Sequence, residues 1–358
     1  MKILRAKNNP LLTPEDVIPS RPDFKVDGIF NCGVAKYKDE ILLLCRVAES
    51  VRSSNDKEIK IPIVVKKDKQ DTFDCMVYQR EKHPELDFSD TRCVRSKENG
   101  KIKNLTSLSH LRLARSKDGI HFQVDEKPVI FPISEEESWG MEDPRITQID
   151  TTYYITYTSV TQNGAAVSMM STNDFSHFKR HGIIFAPENK DVVIFPKKID
   201  GKYVAFHRPV PYGIGNPDMW IAKSPDLLHW GEHRHFSGTS EKTENSWDNE
   251  RIGAGAVPFL TDKGWVKIYH AADDKNRYCL GALLLDKEDP SKIIGKTKSP
   301  LLQPEADYEK EGFFDHVVFT CGCLLEQNKV IIYYGAADDK ICRADILLED
   351  LFRKIEKL

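Results

Sequence analysis

The chain has no run of basic residues, no acidic tail and no long apolar stretch. Its 52 Lys and Arg are interspersed with 55 Asp and Glu over 358 residues, for a net charge of −3. Binding nucleic acid through the phosphate backbone needs a basic patch, so that class is excluded, as is a disordered solvating segment. The longest apolar runs, such as Ile41-Leu42-Leu43-Leu44-Cys45, fall far short of the roughly 20 residues that cross a bilayer, which excludes a membrane partner. Met1-Lys2-Ile3-Leu4-Arg5-Ala6-Lys7 lacks the apolar core of a signal peptide, so the expectation is a cytoplasmic protein. The eight cysteines show no metal-type spacing, and even the closest pair, Cys321-Gly322-Cys323, reads as two positions on one strand. They are expected to be reduced thiols, and no metal or organic cofactor is expected. Helical periodicity is also scarce. One segment, residues 349–358, carries it, with apolar residues at 351, 352, 355 and 358. It is expected to cover a sheet edge.

Repetition fills the remaining space. Ser116-Lys117-Asp118-Gly119-Ile120-His121-Phe122 resembles Thr172-Asn173-Asp174-Phe175-Ser176-His177-Phe178, and both resemble Ser224-Pro225-Asp226-Leu227-Leu228-His229-Trp230. The aspartates stand at 118, 174 and 226, in steps of 56 and 52, and each turn follows a strand-like run. A second signal, Val266-Lys267-Ile268-Tyr269-His270-Ala271-Ala272-Asp273, recurs as Val330-Ile331-Ile332-Tyr333-Tyr334-Gly335-Ala336-Ala337-Asp338. Repeats of this length, each holding several short strands, predict a five-bladed β-propeller in which residues 1–358 form one domain. The strands expected are near 28–47 and 60–80, then in blades at 108–160, 165–210, 215–275 and 276–340. A two-sheet sandwich is the competing architecture, and the long regular step favours the propeller. The aspartate turns suit hairpins on the outer half of a blade.

A propeller directs the search to polar residues beside inner strands. They recur once per blade: Asn31 and Arg46, with Glu49 behind; Glu142, Asp143 and Arg145; Lys190, Asp191, His207 and Arg208; Arg251, His270 and Asp273; His316 and Asp338. The densest stretch is Trp139-Gly140-Met141-Glu142-Asp143-Pro144-Arg145-Ile146-Thr147. Pro144 is expected to hold Asp143 extended on a rigid loop end, as general acid catalysis requires. The plainer reading is a structural Glu–Arg pair at a loop edge.

Several of these stretches resemble glycoside hydrolase family 130. They are Phe30-Asn31-Cys32-Gly33-Val34, Arg46-Val47-Ala48-Glu49, Gly140 to Thr147, Lys190-Asp191-Val192-Val193-Ile194-Phe195-Pro196, Gly201 to Pro209, Arg251-Ile252-Gly253-Ala254-Gly255, and the two repeats ending at Asp273 and Asp338. The resemblance spans roughly residues 8 to 345. It implies a five-bladed propeller acting on β-mannosides. Most members are inverting phosphorylases that release α-D-mannose 1-phosphate, and a minority are β-1,2-mannosidases. The chain is most similar to the subgroup acting on β-1,2-mannobiose and short β-1,2-oligomannans, with an insertion around residues 50–105. The resemblance also implies a homodimer.

Residue chemistry weighs the two activities. An inverting hydrolase needs an acid and a base, whereas a phosphorylase needs the acid and a cationic cradle for phosphate, its co-substrate. By resemblance the cradle falls on Lys190, Arg208, Arg251 and His270, with Arg46 a further candidate. Glu244 and Glu250, near Arg251, keep a hydrolytic base open. The resemblance implies Asp143 as the acid, acting directly or through the mannose 3-hydroxyl, with burial and Glu142 helping it hold its proton. Asn31, Arg46 and Asp338 would hold the mannose, and Glu142, Arg145, Asp191, His207 and Asp273 complete the expected substrate set. Tyr212 and Trp247 are expected to stack on the acceptor sugar. A sugar-binding propeller without catalysis is the remaining alternative.

Overall fold

The computed structural model describes residues 3–53, 55–133, 135–238 and 246–358. The architecture is all-β, with five antiparallel sheets following one another along the chain. The first holds Phe24–Tyr37, Glu40–Val51, Ser107–Ser116 and Gln123–Val124. The second holds Met141–Ile149, Thr152–Thr161, Gly164–Thr172 and Lys179–Phe185. The third runs Asn189–Ile194, Tyr203–Pro209, Met219–Ser224 and Gly231–Ser237. Arg251–Ala254, Gly264–Ala272, Tyr278–Leu285 and Ile293–Thr297 build the fourth, and Val318–Glu326, Lys329–Ala336 and Lys340–Leu347 the fifth. Leu4–Arg5 completes that last sheet by pairing with Lys340–Leu347.

Five apolar clusters lie between the sheets. Leu44 and Leu111 meet Ile146 and Ile155 between the first and second. Met169 meets Ile194 and Ala205 between the second and third, and Phe206 and Ile221 meet Ile252 and Tyr269 between the third and fourth. Ile268 and Leu280 meet Val318 and Ile332 between the fourth and fifth, while Ile331 and Tyr333 of the fifth meet Ile29 and Leu43 of the first. Strands buried on both faces read as near-continuous apolar runs, which is why Ile41 to Cys45 lacks alternation.

The three aspartate turns each join the third strand of a sheet to the fourth. In each, the aspartate Oδ1 accepts two backbone N–H groups and its Oδ2 meets the histidine ring, as in Asp174 with Ser176, His177 N and His177 Nδ1. The expected strand groupings are out of step with these sheets. Residues 107–116 return to the first sheet, and 164–172 pair with 152–161 rather than with 203–209. The turn motif marks the third strand of a sheet, so a boundary drawn from it falls mid-sheet. Residues 58–105 leave the first sheet altogether, forming the hairpin Glu58–Lys67 with Gln70–Gln79 and a small sheet of Leu86–Asp87, Cys93–Ser96 and Ile102–Leu105. The C-terminal helix is shorter than expected, Leu348–Lys354, and Ile355–Lys357 instead pairs with Ile293–Thr297. A strand, not the helix, covers that edge.

Candidate functional site

The leading strands of three sheets share one irregularity. Their registers shift between Phe30 and Gly33, between Glu142 and Arg145, and between Lys190 and Val193. In each shift lies a non-glycine residue with positive φ: Asn31 at 46°, Asp143 at 51° and Asp191 at 58°. A bulge re-aims a side chain out of the alternating pattern, and left-handed non-glycine backbone concentrates at functional sites. Asp143 is therefore not extended, as Pro144 led us to expect; the bulge overrides the preference of the residue before proline.

These re-aimed side chains meet in one cleft of about 270 Å³, lined by Asn31, Arg46, Glu142, Asp143, Lys190, Asp191, Arg208, Arg251, Asp338, Tyr278, Phe314, Val317 and Phe319. On one wall, Arg46 stands among three carboxylates. Its Nη1 donates to Asp143 Oδ1 at 3.1 Å and its Nη2 to Glu142 Oε1 at 2.9 Å, while its Nε is held by Ser109 Oγ at 3.0 Å. Asn31 Nδ2 donates to the same Asp143 Oδ1 at 3.0 Å. One oxygen of Asp143 is thus fixed twice, and Oδ2 has no partner among the described residues. Glu142 also accepts from Lys190 Nζ at 3.1 Å. Burial alone would raise the Glu142 pKa, but Arg46 and Lys190 bring it down to about 2. Asp338 behaves oppositely: burial pushes it up to about 7, Arg46 counters only partly, and Asp143 and Glu142 add to the rise.

The other wall inverts this pattern, with cations around a carboxylate. Asp191 accepts from Arg145 Nη2 at 2.9 Å and Arg208 Nε at 2.6 Å, and faces His270 Nε2 at 3.2 Å. Against its burial, the Arg208 and Arg145 charges and the hydrogen bond from His270 hold it well below the usual carboxylate range. Gly253 makes room for the pair, since a Cβ there would collide with Asp191 and His270. Arg251 is steadied by Tyr278 OH at 2.9 Å and Asn276 Oδ1 at 2.8 Å. Lys190, Arg208 and Arg251 all reach the cleft surface.

Several expected site residues do not line the cleft. Arg145 is 1 % exposed, and its donors go to Asp143 O, Gly255 O, Ala254 O and Asp191, so it braces the bulge from beneath. Breaking a buried pair of this kind costs about 3–5 kcal/mol. His270 lies in the same layer, its ring tilted against Phe319 with centroids 4.1 Å apart; burial lowers its pKa, so it is a neutral support for Asp191 rather than a cation at the surface. His207 points away from its neighbour Arg208, as alternation on a strand demands, and is held by Asn189 and His233; burial, then His233, lowers its pKa to about 3. Asp273 closes a turn, accepting from Lys275 N and Arg277 N and pairing with Arg277 Nε at 3.1 Å. His316 is an exposed loop residue. Glu49 is fully buried against Ser20 and His110 and pairs with no cleft arginine. Neither expected stacking residue is at the cleft: Trp247 packs in the core against Tyr269, and Tyr212 is wholly exposed on a loop. Glu250 is not in the lining, and Glu244 lies outside the described residues.

Tyr278, Phe314, Val317 and Phe319 of the lining lie outside the polar set that the sequence motifs single out. A signal existed in Phe313-Phe314-Asp315-His316-Val317-Val318-Phe319, a stretch with three phenylalanines that leads into the first strand of the fifth sheet.

The family-130 glycoside hydrolase model, described as beta-1,4-mannooligosaccharide phosphorylase, matches residues 101–357. The chain belongs to glycoside hydrolase family 130. Among family-130 relatives, it is 45% identical to a beta-1,2-mannobiose phosphorylase of Listeria innocua serovar 6a, over 99% of each chain. It is 42% identical to a 1,2-beta-oligomannan phosphorylase of Thermoanaerobacter sp. strain X514, over 68% of this chain and 80% of that one. The solved structure of the Listeria enzyme in complex with beta-1,2-mannobiose superposes with a TM-score of 0.92 over 99% of both chains, so the segment at 58–105 falls within the shared fold.

Proposed function

We propose that this family-130 protein is an inverting β-1,2-mannoside phosphorylase that converts β-1,2-mannobiose or a short β-1,2-oligomannan to α-D-mannose 1-phosphate, reversibly and with inorganic phosphate as co-substrate. The observation that carries the reading is the pairing of walls in one cleft: a carboxyl with a free oxygen on one side and three surface cations on the other. The relatives named for β-1,2-linked mannosides, matched over the greater part of this chain or all of it, favour that linkage. The five sheets are read as blades of a five-bladed propeller forming a single catalytic domain over residues 1–358. Support comes from the five apolar clusters, each shared by neighbouring sheets, the last with the first.

Asp143 is the general acid. Asn31 and Arg46 hold its Oδ1, which leaves Oδ2 to deliver the proton toward the glycosidic oxygen, directly or through a sugar hydroxyl. Asn31, Arg46 and Asp338 hold the mannose that becomes the product. Lys190, Arg208 and Arg251 bind phosphate, which arrives already nucleophilic and needs no base. Arg145, Asp191 and His270 position these groups from beneath. The deciding experiment incubates the protein with β-1,2-mannobiose with and without phosphate. Mannose 1-phosphate formed only with phosphate is expected, whereas free mannose released equally in its absence identifies a mannosidase.

A further inference from the structure

The small sheet inserted between the second and third strands of the first sheet borders the cleft through the contact of Arg92 with Phe314. Its turn Ser89-Asp90-Thr91-Arg92 is rigid: Asp90 Oδ1 accepts Arg92 N at 3.0 Å, and Thr106 N donates to Arg92 O at 3.1 Å. The Asp90 carboxylate also grips the guanidinium, taking Nε at 3.0 Å and Nη2 at 3.2 Å. Arg92 lies over the ring of Phe314, 5.5 Å from its centroid, and Phe314 lines the cleft beside Asp338. Phe314 is itself fixed, its N–H donating to Ala337 O at 3.0 Å. The Arg92 side chain is 46% exposed, and its Nη1 has no partner among the described residues. No residue of this turn falls in the segment that the family model matches.

This is the chemistry of a sugar contact rather than an anion contact. Arg251 is held by two neutral partners, Tyr278 and Asn276, and keeps its charge for an anion, whereas Arg92 has its charge answered by Asp90. An arginine locked to a carboxylate, with spare N–H donors and packed on an aromatic that itself lines the cleft, matches the adjacent hydroxyls of a neutral pyranose. We propose that Arg92, braced by Asp90 and laid over Phe314, is a specificity residue of the acceptor-sugar subsite, supplied by the inserted sheet. The inference rests on reading the cleft as a mannoside site.

The test is calorimetric titration of β-1,2-mannobiose, and separately of inorganic phosphate, into the full-length wild type and Arg92→Ala, with thermal melting to confirm folding. It needs no turnover, so it stands apart from the assay for mannose 1-phosphate. Loss of one charged hydrogen-bonding group is expected to weaken mannobiose roughly tenfold and leave phosphate within about twofold. Phe314→Ala is expected to weaken mannobiose in the same direction. In the synthetic direction, Arg92→Ala should raise the KM for acceptor mannose and spare that for mannose 1-phosphate. Unchanged mannobiose affinity in Arg92→Ala overturns the proposal. So does selective loss of phosphate, which would make Arg92 an anion ligand, and so does a wild type that binds no mannobiose.

Discussion

The two walls of the cleft are built from opposite materials. On one, a single arginine, Arg46, is shared by Glu142, Asp143 and Asp338. On the other, a single carboxylate, Asp191, is shared by Arg145, Arg208 and His270. The minority charge is the organiser in both: it neutralises the buried cluster enough to be tolerated and fixes where the majority groups point. The difference teaches what each wall is for. Carboxylates outnumbering their cation leave one, Asp338, able to keep a proton near neutral pH. Cations outnumbering their carboxylate leave a surface that attracts an anion.

The largest expected effect is on the carboxylate wall. Asp143→Asn keeps shape and hydrogen bonding but has no proton to deliver, so turnover of an unactivated disaccharide should fall by about 100- to 10,000-fold. Folding should be retained, and near wild-type turnover would move the acid to another carboxyl. The next effect separates the walls. Arg251→Ala should raise the KM for phosphate or lower its affinity roughly tenfold to a hundredfold, with mannobiose binding little changed. Asp338→Ala should do the reverse. Titration of each ligand into each variant reads both, and a disaccharide defect in Arg251→Ala with phosphate intact would exchange the walls.

A smaller effect concerns pH. The folded state raises the Asp338 pKa to about 7 from the ordinary carboxylate range, so between those values the folded protein binds more protons than the unfolded chain. The stability associated with this group is therefore present at acid pH and lost as pH rises toward about 7. Asp338→Asn removes the titration, and its melting temperature relative to wild type should climb between pH 5 and pH 8. A flat difference across that range would show that Asp338 does not carry the proton. The smallest effect is the control. Asp273 ends the same Ala-Ala-Asp repeat as Asp338, yet it closes a turn on Arg277. Asp273→Ala should lower the melting temperature and leave the KM for both substrates unchanged.

Much of this site was legible in the sequence because its polar residues are crowded into short motifs. Asn31, Arg46, Glu142, Asp143, Lys190, Asp191, Arg208, Arg251 and Asp338 all line the cleft. What failed to show was depth. Arg145 and Asp191 stand in motifs as charged as their neighbours, and only packing reveals that one is spent wholly on protein partners. His207 and Arg208 are adjacent in sequence and face opposite ways, which follows from alternation once the register is known. Asp273 and Asp338 are indistinguishable in the repeat and part company only through their neighbours. The sheet boundaries were misjudged for a different reason. Residues 58–105 interrupt the first sheet between its second and third strands, a detour that strand patterns alone do not announce.

The pairing of Leu4–Arg5 with Lys340–Leu347 has a consequence for how the protein is made. Once made, Leu4–Arg5 must wait for its neighbour until all the sheets between them in sequence have been translated. At about 5–20 residues per second that delay is on the order of tens of seconds. Throughout it Leu4–Arg5 has no partner strand, and the last sheet is a lock whose two halves are made far apart in time.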